Sequence, residues 1–163
     1  MARLRMTLLT LAALAISGPG LAQQTDAEAA AATSAETRRV FEAYAKDHDT
    51  KYYAENATFI DMTHPDQVIK GRDAIKAFIG AFYGGAFGDG RYELQSMIVE
   101  GKYAMQESIF YGTHTGPLGN IPATGRTVEF PFMTAYLIEN GEIVWGHLYY
   151  DSTTLLRQLG VIE

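Results

Sequence analysis

The chain of 163 residues contains no cysteine, which excludes disulfides, thiolate nucleophiles and zinc–thiolate sites. It also lacks an excess of positive charge: 13 Lys and Arg stand against 19 Asp and Glu, a net charge of −6. Phosphate neutralisation needs clustered Lys and Arg, so nucleic acid and anionic membrane surfaces are poor partners. No Gly-x-Ser-x-Gly elbow, phosphate-cradling loop or dinucleotide fingerprint occurs. Metal-ligand residue types cluster only in Asp61-x-x-His64-x-Asp66, where Pro65-Asp66 is ordinary turn chemistry, and no metal is expected there. A bilayer span needs about 20 consecutive apolar residues, and the one apolar run, Met6 to Ile16, is shorter.

That run nevertheless has a meaning. Arg3 and Arg5 precede it, Ser17-Gly18-Pro19-Gly20 break it, and small residues at Gly20 and Ala22 stand before Gln23. This is the order of a secretory signal peptide over residues 1–22. Its removal takes two positive charges and leaves about 141 residues with a net charge of about −8, enough for one domain with one core. Export to a periplasm or beyond is the expectation, with no membrane attachment after processing.

Residues 23–34 are small and polar without apolar periodicity, and read as a flexible spacer carrying at most nascent helix. The domain is expected over 35–163. Ser34 to Thr37 form an approximate N-cap start ahead of Val40, Phe41, Tyr44 and Ala45 at helical spacing. That predicts a first helix to about Asn56, followed by a short strand over 57–62. Gly71-Arg72-Asp73 opens a second helix with Ala74, Ile75, Phe78, Ile79 and Phe82 on its buried side. Strand patterns follow over 91–100, 103–114, 126–139 and 142–151, with Asn140-Gly141 as a strong hairpin signal. Helices first, then antiparallel strands, then a short helix predict an α+β fold with segregated layers. Strands that curl around the helices leave an open mouth and one small-molecule pocket. Tyr44, Phe59, Asp61, Phe82, Phe132, Tyr136 and Trp145 are its expected lining.

The last fifth of the chain is the most informative. Ile143, Trp145, His147, Tyr149 and Asp151 alternate, which on a regular strand places all five on one face. An apolar face ending in imidazole, phenol and carboxylate reads as a pocket wall. Asp151 is then either an acid/base group, its pKa raised by desolvation, or the N-cap of the helix that begins at Ser152. Tyr149 and His147 are candidate donors, or plain packing residues. His114, flanked by Gly112-Thr113 and Thr115-Gly116, either approaches a ligand or satisfies loop carbonyls.

Gly112-Thr113-His114-Thr115-Gly116, Gly119-Asn120-Ile121-Pro122-Ala123-Thr124-Gly125-Arg126 and Asp151 with Leu155-Leu156-Arg157-Gln158-Leu159-Gly160 resemble the SnoaL-like polyketide cyclases of the nuclear transport factor 2-like superfamily. The resemblance spans roughly residues 36–160. It implies a cone-shaped barrel, a curved antiparallel sheet wrapped around N-terminal helices. It also implies pairing into a homodimer, no cofactor, and an aspartate at the end of the last long strand acting as general acid/base, which maps onto Asp151. The family commonly has an aromatic residue where this chain has His147. The implied ligand is a small apolar or cyclic carbonyl compound, and the implied chemistry is cyclase, isomerase or lyase type. The competing reading is a non-catalytic ligand-binding or dimerising module.

Overall fold

The computed structural model describes the backbone from residue 19 and side chains from residue 23 to the C-terminus. The signal peptide expected over 1–22 lies outside these residues, apart from the backbone of 19–22. Helix α1 runs Pro19–Asp47, so the segment 23–34, expected to carry some nascent helix, is helical along its whole length. Residues 23–32 are exposed throughout; Ala27 and Ala29 to Ala32 favour the helix by propensity, and Gln24 Nε2 donates to Glu28 Oε1 one turn on at 3.3 Å. The second half of the helix is held by packing: Thr37, Val40, Phe41 and Tyr44 are buried at i, i+3, i+4 and i+7.

The helix ends sooner than periodicity suggests. His48 takes a left-handed φ of 54°, and its N–H still bonds the Tyr44 carbonyl at 2.7 Å. Asp49 then caps a short 3-10 turn over Thr50–Tyr52 by accepting the Lys51 N–H. Strand β1, Tyr53–Asp61, therefore starts four residues earlier than expected, with Tyr53 wholly buried. A three-residue strand β2, Val68–Lys70, follows; it is too short to leave a period in the sequence. Helix α2, Arg72–Gly80, continues into a wide π turn over Ala81–Ala86. Ile75 is its buried centre, whereas Ala74 is exposed.

Strands β3 (Arg91–Glu100), β4 (Tyr103–Thr113), β5 (Thr127–Glu139) and β6 (Glu142–Tyr150) match the sequence pattern to within a residue, and α3 is Ser152–Leu159. Asn140 and Gly141 both have positive φ, 53° and 80°, as a two-residue turn twisted with its strands requires. The six strands form one sheet in the order β2-β1-β6-β5-β4-β3. All pairs are antiparallel except β1 with β6, which is parallel, so the sheet is mixed. It is the α+β cone expected, with the sheet curved around the helices.

Two apolar clusters fill it. One joins α1 to β1 and the hairpin end of β5 and β6, through Phe41, Tyr44, Tyr53, Phe59, Tyr136 and Ile143. The other joins the π turn and α3 to the far end of β4 and β5, through Phe87, Phe110, Phe130, Phe132, Leu155 and Leu159. Leu148 packs against both.

Candidate functional site

Cross-strand register sets out the inner face of the sheet in rows. One row reads Met97, Gln106, Thr134, Leu148, Asp61, and the next reads Leu94, Ser108, Phe132, Tyr150. On β4, Gln106 and Ser108 fall between Ala104 of the first cluster and Phe110 of the second; on β5, Thr134 falls between Tyr136 and Phe132. A polar belt thus crosses the interior between two apolar floors. Gln106, Ser108 and Thr134 are all buried, and Gln106 Oε1, Ser108 Oγ and Thr134 Oγ1 have no hydrogen-bond partner among the described residues. A buried polar group left unmatched costs about 1–3 kcal/mol. The belt is therefore complementary to a molecule that offers both donors and acceptors.

At the end of the first row, Asp61 is half-buried where β1 leaves the sheet. Its Oδ1 accepts the Thr63 N–H at 2.9 Å and the Thr63 hydroxyl at 2.8 Å. Its Oδ2 accepts the Tyr150 hydroxyl at 3.3 Å. Burial, with the Asp61 charge adding to it, pushes the Tyr150 phenol up to about 12, so Tyr150 stays a proton donor at neutral pH. The Thr63 hydroxyl also meets His64 Nδ1 at 2.8 Å. The Asp61 carboxylate is thus fixed in orientation by three donors, facing the interior.

The helix side supplies phenols. Tyr53 donates to the Tyr44 hydroxyl at 3.4 Å, and the Tyr44 ring lies 5.5 Å from Tyr53 and 5.6 Å from Tyr136. Burial raises all three phenols above their ordinary value, and Tyr83 beside the second cluster likewise. At the end of α1, His48 Nε2 bonds the Tyr92 hydroxyl. Of the expected lining, Tyr44, Phe59, Asp61, Phe82, Phe132 and Tyr136 all lie on the interior. His48, Tyr53, Tyr92, Gln106, Ser108, Thr134 and Tyr150 were not singled out from the sequence. The signal that could have found the belt is Gln106 and Ser108 at period two on an otherwise apolar face.

The last strand needs correcting. β5 pairs Ile138 with Ile143 but Leu137 with Trp145, so Val144 is an extra residue and the alternation changes hand there. Ile143 points inward, but beyond the bulge the inward residues are Gly146, Leu148 and Tyr150. A Cβ on Gly146 would sit 2.8 Å from Phe59 Cδ2 and 3.0 Å from Tyr136 Cε1, which marks the inner side. Trp145, His147 and Tyr149 are consequently on the outer face and do not line the pocket. Trp145 and His147 stack there with ring centroids 4.3 Å apart, and Tyr103 and Tyr149 flank them at 6.3 and 6.4 Å.

Asp151 is exposed and caps α3. Its Oδ1 accepts the Thr153 N–H at 2.9 Å and its Oδ2 the Thr154 hydroxyl at 2.6 Å. The Thr154 bond, then the backbone amides, hold its pKa below the ordinary carboxylate value, opposite to the desolvation shift a general base in an apolar pocket needs. His114 is wholly buried under the loop it belongs to. Its Nδ1 accepts the Thr124 N–H at 3.2 Å, and its ring lies 5.2 Å from Phe87. Its Nε2 has no partner among the described residues. It pins the glycine-rich loop and stands apart from Asp61. Among the described residues no three His, Cys, Asp or Glu side chains converge as a metal site, and Asp61, His64 and Asp66 are no exception.

The model of the SnoaL-like polyketide cyclase family matches residues 35–159. No curated protein matches the chain. Among solved structures, a SnoaL-like protein from Jannaschia sp. CCS1 is 18% identical, with 69% of this chain and 76% of that one covered at a TM-score of 0.64. TsrD from Streptomyces laurentii is 24% identical, with 89% and 98% covered at 0.62. A protein of ketosteroid isomerase-like fold from Catenulispora acidiphila, in complex with trimethylamine, is 17% identical, with 68% and 78% covered at 0.58. These likenesses concern the fold; the family match covers most of the chain. The chain belongs to the SnoaL-like polyketide cyclase family.

Proposed function

We propose that this chain is a small-molecule enzyme that moves protons on a carbon acid inside the cone, in a cyclase, isomerase or lyase type of reaction that needs no cofactor. The observation that carries the reading is the Asp61–Tyr150 pair at the end of the polar belt. Asp61 takes the proton next to a carbonyl. Tyr150 and Thr63 fix its orientation, so little reorganisation accompanies proton transfer. Gln106, Ser108 and Thr134 orient the polar groups of the substrate, while the aromatic floors take up its apolar or cyclic body. The base role first assigned to Asp151 passes to Asp61, because only Asp61 faces the interior. Export by the N-terminal segment, which points to a catabolic or scavenging role, and pairing of two copies are parts of the same proposal.

The second reading, a non-catalytic module that holds a small ligand, is favoured by the Asp151 cap, which removes the family's expected acid/base group from play. The trimethylamine bound by the relative from Catenulispora is in keeping with small-ligand binding. Solvent-deuterium uptake by cyclic ketones, β-diketones and lactones separates the two. The wild type should label a member of the panel, Asp61→Asn should lose uptake by about 100-fold or more, and Asp151→Asn should retain it. Uptake by no compound leaves the binding module; loss in Asp151→Asn returns the base role to Asp151.

A further inference from the structure

Thr63 carries one hydroxyl hydrogen and has two acceptors competing for it. Asp61 Oδ1 and His64 Nδ1 each lie 2.8 Å from its oxygen. The arrangement is built by the backbone. Just past the end of β1, the Met62 N–H bonds the Leu148 carbonyl of β6 at 2.9 Å, and the His64 N–H bonds the Asp61 carbonyl at 2.8 Å. The His64 carbonyl then accepts the Gln67 N–H at 3.0 Å, with Pro65 at the second position of that turn, where its fixed φ fits. Asp61, Thr63 and His64 are therefore placed by main-chain bonds that do not depend on where the hydroxyl points.

The two acceptors face different surroundings. Asp61 is half-buried and bonded to the interior phenol of Tyr150, whereas His64 is exposed. The imidazole thus exchanges protons with water, and histidine is the side chain whose charge changes between about pH 5 and 8. A protonated ring has a hydrogen on both nitrogens. Nδ1 then donates to Thr63, and the hydroxyl has only Asp61 left to donate to. A neutral ring protonated at Nε2 presents a bare Nδ1, which accepts the Thr63 hydrogen and draws it from Asp61. The carboxylate keeps the Thr63 N–H and the Tyr150 hydroxyl, one donor fewer. Hydrogen bonds to the charged form weaken a carboxylate as a base, so losing one strengthens it.

We propose that His64 governs the base strength of Asp61 through the Thr63 hydroxyl, as a positioning residue that does not touch the substrate. This rests on the Asp61 reading above and deepens it by adding control by pH. In acid the carboxylate is held by three donors; as His64 loses its proton, one donor turns away and proton abstraction speeds up. The other charged groups on the elements packed against β1 stand aside. Arg72 of α2 bonds the Tyr53 carbonyl and Glu142, at the opposite end of β1. His147 and Tyr149 of β6 lie on the outer face. Asp66 in the same turn, Lys70 on β2, and Asp73 and Lys76 on α2 make no side-chain bond or ion pair among the described residues. Tyr150, which stays protonated, is the one further titratable group bonded to the carboxylate.

The test is the rate of solvent-deuterium uptake from the ketone panel as a function of pH, for the wild type, His64→Ala, Thr63→Val and Asp61→Asn. Ring-labelled histidine NMR of the same proteins accompanies it, with His64→Ala identifying the His64 signals. The wild-type rate should rise about 3- to 10-fold between about pH 5 and 8, the scale of one donor to a carboxylate expressed partly in the rate. His64→Ala should stay at the acid level across this range, because nothing then competes for the hydroxyl. Thr63→Val keeps the shape and the N–H, and should show no such rise either. Neutral His64 should carry its hydrogen on Nε2, and its titration should move in Thr63→Val. A rise that persists in His64→Ala or in Thr63→Val overturns this proposal and leaves the Asp61 reading intact. So does a neutral His64 protonated at Nδ1, or a His64 titration unmoved by Thr63→Val. Uptake that persists in Asp61→Asn, or a wild type that labels no ketone, overturns both readings together.

Discussion

The Asp151 and Asp61 carboxylates close neighbouring stretches of strand, and their surroundings alone separate their roles. Asp151 spends both oxygens on the start of α3, in contact with water; Asp61 is tied to Thr63 and to an interior phenol. The cap was legible, since Asp before Ser152-Thr153-Thr154 is a good N-cap signal. The inward carboxylate was not, because nothing local distinguishes a carboxylate that faces inward from one that faces out. Asp151→Asn should lower the melting temperature by a few degrees at pH 7, since it removes the negative charge at the start of α3 and one of the two acceptor oxygens that hold Thr153 and Thr154. The folded-state pKa lies below the unfolded value, so the stabilising contribution is present above about pH 4 and fades as pH falls through the folded value. Melting curves of the two proteins between pH 3 and 7 should therefore converge at the acid end. A gap independent of pH would remove the charge from the account.

At the scale of the element, burial alternates most regularly along β4 and β5, which made these strands legible; β5 reads buried at every second position from Val128 to Ile138. What the alternation could not reveal is the extra residue at Val144. A bulge leaves composition and period intact on each side and changes only which parity faces inward. For that reason the sequence placed Trp145, His147 and Tyr149 on the pocket wall and overlooked Gly146 and Tyr150. The inner parity makes a sharp prediction at Gly146. Phe59 and Tyr136 close over it from two strands, so Gly146→Ala overpacks the first cluster and should cost about 1–3 kcal/mol. Urea unfolding would read this as a lower midpoint at constant slope. A neutral substitution would mean that Gly146 faces outward and that the bulge is misplaced.

At the scale of the molecule, the same parity change that empties the pocket wall of aromatics loads the outer face with them. Tyr103 is 55% exposed, and Ile98, Met105, Met133 and Tyr149 are exposed beside it, with the Trp145–His147 stack at the centre. Large contiguous apolar patches on a soluble chain mark a contact surface. Among the described residues no helix covers this face, since the helices lie on the inner side. The pairing proposed for two copies uses it, and a two-fold axis would set each copy's Met133 and Tyr149 in a self-complementary patch. Both side chains project away from the core, so charging them should leave the fold intact. Met133→Glu and Tyr149→Glu together should weaken association by about 30-fold or more, the scale of losing one central contact. Sedimentation equilibrium on the chain from Gln23 onward would measure it. A wild type that stays monomeric at high concentration, or a double variant that associates as tightly as the wild type, would assign this face to something other than a second copy.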